Sequence, residues 1–132
     1  IYGKSHDILN ASNVSLAASG TVTMEATILG APIILAYKIS LISYLIGKYI
    51  LRIRLPYFSM TNLIAGYEVI PEFVQDKATA ENIAGKAIEL LTDKGSIAAI
   101  KAGYSKVLSK FGSPGAVKRA AQQINYELRG KI

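Results

Sequence analysis

Ser19-Gly20-Thr21-Val22-Thr23-Met24-Glu25 gathers hydroxyls, a glycine and a carboxylate into one short stretch. Before it, Asn13-Val-Ser-Leu-Ala-Ala18 is a short, mostly apolar run of strand type. After it, Ala26-Thr-Ile-Leu29 continues a helix until Gly30 stops it and Pro32 forbids a restart. A strand, a small-residue turn and a helix start put Ser19, Thr21 and Thr23 among unpaired N–H groups at the positive end of a helix dipole. Such a site attracts phosphate. Glu25, four residues beyond Thr21, falls one turn further along, where a carboxylate accepts hydrogen bonds from sugar hydroxyls. A diphosphate joined to a ribose has that shape. The same pattern is also a capping box, which stabilises a helix start with no ligand at all.

Other residues of chemical type are more scattered. His6 sits in His6-Asp-Ile-Leu-Asn10, predicted as the last turns of a short helix leading to a strand at Val14–Ala17. It either touches a ligand at the sheet edge near Gly20 or serves as a cap or packing residue. Asn62, Gly66, Glu68 and Glu72 punctuate Met60–Glu72, predicted as an apolar loop in which Asn62 and Gly66 suit a special turn. Glu68 and Glu72, four apart, have the spacing of an acid/base pair, and equally that of exposed glutamates bracketing a proline. Lys48, Arg52 and Arg54 are interspersed among the apolar residues of Leu41–Leu55. That segment is too short and too charged to span a bilayer. It either lies on one, cations toward anionic head groups, or packs against the sheet or a partner domain.

The elements that position these residues follow from periodicity. Ile33-Ile-Leu-Ala-Tyr37 is an unbroken apolar run, as in a parallel strand covered on both faces. Strand, helix, strand gives a right-handed βαβ unit whose ligands bind beyond the carboxyl ends of the strands, where the Ser19–Thr23 turn would lie. Pro56-Tyr-Phe-Ser59 is predicted as a further short strand. Thr79 is predicted to cap a helix through Ile83, Ala87, Ile88 and Leu91 that breaks at Asp93-Lys-Gly95. A further helix is expected over Ile97–Phe111, with Ile100, Tyr104, Val107 and Leu108 inward. Gly112-Ser-Pro-Gly115 then leads into a last helix, Ala116–Leu128, and these C-terminal helices are predicted to cover the sheet.

Composition narrows the classes. At 132 residues the chain makes one domain with a real core, but hardly two. It is 51% hydrophobic, with a mean hydropathy of +0.31. There is no cysteine and a single histidine, so neither a disulfide framework nor a zinc site is expected. It begins Ile-Tyr-Gly, and is expected to be a piece of a longer polypeptide. The net charge of +6 is uneven: no acid falls between Glu25 and Glu68, and from Lys94 onward Glu127 is the one acid, against eight bases. A basic, apolar-rich surface suits phosphate ligands or anionic lipid. No helix-turn-helix, zinc finger or RNA-binding aromatic signature is present, so nucleic acid is not an expected partner.

Six stretches in order carry a likeness: Leu16-Ala-Ala-Ser-Gly-Thr-Val-Thr-Met-Glu25, Gly30-Ala-Pro32, Ala36-Tyr-Lys38, Asn62-Leu-Ile-Ala-Gly66, Val69-Ile-Pro-Glu72 and Gly112-Ser-Pro-Gly-Ala116. Together they resemble the lipid-A-disaccharide synthase family across essentially the whole chain. The resemblance implies an α/β fold: a Rossmann-like parallel sheet flanked by helices, the C-terminal half of a GT-B glycosyltransferase. Residues 1–132 would form a single nucleotide-sugar-binding domain, with C-terminal helices over about 80–128. The family are inverting transferases that move 2,3-diacylglucosamine from its UDP derivative to the 6-hydroxyl of 2,3-diacylglucosamine 1-phosphate (lipid X). No metal or other cofactor is implied. Ser19, Gly20, Thr21 and Thr23 would hold the UDP diphosphate and Glu25 the ribose, while Asn62, Gly66, Glu68, Glu72 and His6 would line the donor cleft. The catalytic base would come from an N-terminal GT-B half. Lys48, Arg52 and Arg54 would face the phospholipid of the bacterial inner membrane, on its cytoplasmic side, with the enzyme peripheral to it. The alternatives are another UDP-sugar GT-B transferase, or an anionic-lipid-binding piece without activity. Two positions depart from the family's pattern: Thr61 stands for the proline of Leu-Pro-Asn, and Tyr67 for an arginine. Loss of that arginine would weaken donor binding or shift its charge role to a residue such as Lys38.

Overall fold

Ile33 to Tyr37 form β2, and the neighbours of that strand explain its composition. β1 (Ser15–Ala17) and β3 (Glu72–Val74) flank it, both parallel to it, in the order β1-β2-β3. Ser15 pairs with Ile33 and Ala17 with Leu35, while Leu35 pairs with Glu72 and Tyr37 with Val74. Ile33, Ile34 and Leu35 are fully buried, which is why the strand is apolar at successive positions and not at alternate ones. The computed structural model describes residues 3–18, 20–38, 40 and 56–129. Ser19 and the Leu41–Leu55 segment, with Lys48, Arg52 and Arg54, lie outside the described residues.

The helices are α1 (Ser5–Ala11), α2 (Val22–Leu29), α3 (Met60–Ala65), α4 (Ala80–Thr92), α5 (Lys94–Leu108) and α6 (Ala116–Arg129). The class is α/β with a parallel sheet flanked by helices, as expected for the C-terminal half of a GT-B glycosyltransferase. α2 ends where expected. Gly30 takes φ +68, and the N–H of Ala31 donates to Ala26 O at 2.9 Å, closing a left-handed cap that a residue with a Cβ adopts only under strain. α5 packs against α2, α3 and α4. From it Tyr104, 2% exposed, donates its phenol to Ala31 O at 3.1 Å, tying the end of α2 into the core. Burial pushes that phenol's pKa above its ordinary value of 10.0. Among the described residues no helix is long and apolar enough to cross a membrane.

Several expectations need correction. Pro56–Ser59 is not a strand: its Phe58 and Ser59 N–H groups donate to the Glu72 carboxylate rather than to a neighbouring strand. Met60–Glu72 is not one loop. Ser59 Oγ accepts from the Asn62 N–H at 3.0 Å, an N-cap that starts α3, and Gly66 ends it. His6 lies in the first turn of α1, not its last. α5 begins at Lys94, earlier than Ile97, because the Asp93 carboxylate accepts from the Gly95 and Ser96 N–H groups and so caps it. α6 does not cover the sheet. None of its residues is buried, and Val117 is 86% exposed. Its apolar positions Val117, Ala120, Ala121, Ile124 and Leu128 nonetheless recur at helical spacing.

Candidate functional site

The carboxyl ends of the parallel strands β1 and β2 share one edge of the sheet, and the chain turns from β1 into α2 there. Gly20 makes the turn at φ +149, a conformation that side-chain-bearing residues rarely adopt. Thr21 is the N-cap of α2, yet its hydroxyl caps no N–H. Thr21 O accepts from the N–H groups of Met24 at 2.9 Å and Glu25 at 3.1 Å, while Thr23 Oγ1 donates back to Gly20 O at 3.1 Å. The reciprocal bonds of a capping box are therefore not made by Thr21. Its hydroxyl instead points along the helix to Glu25 Oε1 at 3.4 Å.

Glu25 is where the groups converge. Its Oε1 faces Thr21, and its Oε2 faces α1, with His6 Nε2 at 3.4 Å and Ser5 Oγ at 3.5 Å. These are long, weak contacts that orient more than they bind. The Glu25 side chain keeps 31% of its exposure and that of His6 66%, so the carboxylate is both held and reachable. An ionised carboxylate accepts at about four lone-pair positions, enough to take a vicinal diol in addition to these neighbours. The structure thus brings Gly20, Thr21, Glu25 and His6 together, whereas Thr23, also expected there, is fully buried with its hydroxyl given to Gly20 O. Ser5 joins them without any sequence signal of its own. Lys38 is exposed and follows β2 at the same sheet edge.

Asn62 and Glu72 form a second cluster, built for a different purpose. Asn62 is fully buried. Its Oδ1 accepts from the N–H groups of Val69 at 2.8 Å and Ile70 at 3.0 Å. Its Nδ2 donates to Ile70 O at 2.8 Å and to Glu72 Oε1 at 2.7 Å. All four hydrogen-bonding positions of the amide are used within the protein. Glu72 also accepts from Ser59 N at 2.9 Å and Phe58 N at 2.7 Å. Its carboxylate is thereby taken up in fixing the segment before α3, whereas Glu68 and Gly66 are exposed. Glu72 is not the exposed member of an acid/base pair that the spacing allowed. Phe58, held this way, lies 6.2 Å from Tyr37, centroid to centroid, at the carboxyl end of β2.

A shallow depression of about 280 Å³ lies at the other end of α2, lined by Ile28, Gly30, Lys101 and Tyr104 among others. It shares no residue with either cluster.

A family model described as lipid-A-disaccharide synthetase matches residues 1–125. A lipid-A-disaccharide synthase of Solibacter usitatus is 44% identical over 133 residues, covering 100% of this chain and 34% of its own length. That of a Sulfurihydrogenibium species is 39% identical, covering 91% of this chain and 30% of its own. That of Syntrophus aciditrophicus is 37% identical, covering 92% and 31%. The chain thus spans about a third of the length of the curated relatives it matches. With the α2 turn, the Asn62 cluster and the strands between them all inside these matches, the chain belongs to the lipid-A-disaccharide synthetase family.

Proposed function

We propose that this chain is the donor-binding part of a lipid-A-disaccharide synthase, an inverting glycosyltransferase of lipid A biosynthesis. The acceptor is 2,3-diacylglucosamine 1-phosphate. Its 6-hydroxyl attacks the anomeric carbon of UDP-2,3-diacylglucosamine, a β-1,6 bond forms, and UDP leaves. Gly20 and Thr21, with Ser19, receive the diphosphate, Thr23 braces the turn from within through its bond to Gly20 O, and Glu25 accepts from the ribose hydroxyls. As the glycosidic bond to UDP breaks, negative charge grows on the diphosphate, and the dipole of α2 stabilises it. The base that takes the acceptor's proton belongs to an N-terminal GT-B half, and the whole enzyme sits on the cytoplasmic face of the inner membrane.

The observation that carries this reading is the place of Glu25. It lies one turn past a glycine-containing helix start at the strands' carboxyl edge, oriented from both sides and still open to solvent. The test is a transfer assay on the full-length protein with both lipid substrates, reading disaccharide 1-phosphate and UDP by mass spectrometry. Stoichiometric formation of the two is expected. Glu25→Ala is expected to lower kcat/KM for the donor while leaving the KM for the acceptor unchanged. A wild-type enzyme that consumes no UDP-linked donor would overturn the reading.

A further inference from the structure

Hydroxyls join α3 to α2. Thr23, Thr27 and Thr61 are all fully buried. Thr61 Oγ1 lies 3.1 Å from Thr23 O and 2.7 Å from Thr27 Oγ1, and Thr27 Oγ1 lies 2.8 Å from Thr23 O. Two hydroxyl protons serve three contacts, and two arrangements keep the 2.7 Å hydroxyl–hydroxyl contact bonded. Either Thr61 donates to Thr23 O and Thr27 to Thr61, or Thr27 donates to Thr23 O and Thr61 to Thr27. Each arrangement uses both protons and leaves no buried donor idle. Remove the Thr61 hydroxyl and only the local Thr27 bond remains, which lies within α2 and holds that helix to nothing else.

Thr23 is more than an acceptor here. It lies in the first turn of α2, and its own hydroxyl donates to Gly20 O at 3.1 Å. The contacts therefore run from α3, through the Thr61 hydroxyl and the Thr23 carbonyl, to the turn at Gly20. α3 is a firm reference point, since the neighbouring Asn62 is bonded on all four positions. We infer that Thr61 is a positioning residue: its hydroxyl latches the first turn of α2 to α3 and thereby sets the Gly20–Thr23 turn for a nucleoside diphosphate. The inference rests on the reading that this turn holds the donor's diphosphate.

The experiment uses the full-length protein with Thr61→Val, which keeps the shape and removes the hydroxyl, and Thr61→Ser, which keeps the hydroxyl and removes a buried methyl. UDP affinity is measured by calorimetry at a temperature where circular dichroism shows all three proteins folded. Thr61→Val is expected to weaken UDP binding roughly three- to tenfold, the range of one buried hydrogen bond. Thr61→Ser is expected to stay near wild type even though its lost methyl lowers Tm. A purely structural role would make affinity indifferent to both changes, so wild-type affinity in Thr61→Val overturns the latch. Amide hydrogen exchange reads the same latch without ligand. Thr61→Val should speed exchange at Glu25 and Thr27 several-fold while α4 amides keep their rates, and equal acceleration everywhere overturns it. Should wild type bind no UDP, the donor reading falls, and the exchange pattern still decides for or against the latch.

Discussion

Glu25 and Asn62 show how differently two polar side chains of one domain are employed. Glu25 touches its neighbours at 3.4–3.5 Å and keeps solvent on one side, which suits a group that waits for hydroxyl donors. Asn62 is saturated at 2.7–3.0 Å and fully buried, so it makes the scaffold and has no position left for a ligand. The two respond differently to truncation. His6→Ala removes one exposed contact to Glu25, and such contacts are worth roughly 0.2–1 kcal/mol. UDP binding in the full-length protein should weaken by no more than that, with Tm unchanged. Asn62→Ala strands the Val69 and Ile70 N–H groups, at roughly 1–3 kcal/mol for each buried group. Chemical denaturation should show a destabilisation of several kcal/mol, and a variant as stable as wild type would contradict the scaffold role. Glu25 was readable from the sequence because strand, glycine and helix start are all local signals. Ser5, His6 and Thr61 were not assignable, since their contacts join residues 19 to 38 positions apart that only the tertiary fold brings together.

At the scale of elements, side-chain caps decide where several helices begin. The Asp93 carboxylate separates α4 from α5 in a single residue, accepting from Gly95 N at 2.9 Å, Ser96 N at 3.1 Å and Ser96 Oγ at 2.7 Å. The Ser96 hydroxyl first, and then the two N–H groups, hold the Asp93 carboxyl below its ordinary value of 3.8. The folded-state value is the depressed one, so the stabilisation is complete above the unfolded carboxyl's pKa and disappears as pH falls through the folded value. Asp93→Ala should therefore lower Tm at neutral pH, and thermal melts should show the gap to wild type closing in acid. A gap that persists in acid would mean that backbone geometry, not the ionised cap, sets the junction. The strand β2 and the ends of α2 followed directly from an apolar run and from Gly30 and Pro32. α3 escaped because its six residues are too few to show a period, and its cap, Ser59 to Asn62, lies among residues that also make turns. The start of α5 was displaced for the opposite reason: Lys94 and Gly95 read as breakers, and the Asp93 cap overrules them.

For the molecule as a whole, two layers of information had different reach. Local patterns reported the βαβ unit, the longer helices and the turn from β1 into α2. What they did not report is which surface each helix meets. α6 has a regular apolar stripe, Val117, Ala120, Ala121, Ile124 and Leu128, and was expected with the other C-terminal helices to cover the sheet. In the fold it stands apart, beyond a turn in which Arg119 donates to Ser113 O and Pro114 O at 2.9 Å. Amphipathic spacing states that a face is apolar without naming its cover. The central claim is that this domain, within its full-length protein, binds the donor through its uridine diphosphate at the start of α2. Calorimetric titration of the full-length protein with UDP, with ADP as the control, addresses it directly. Saturable binding that favours UDP over ADP and is weakened by roughly 1–3 kcal/mol in Glu25→Ala is the predicted result. UDP binding that Glu25→Ala leaves unchanged, or no preference for UDP over ADP, would contradict the account.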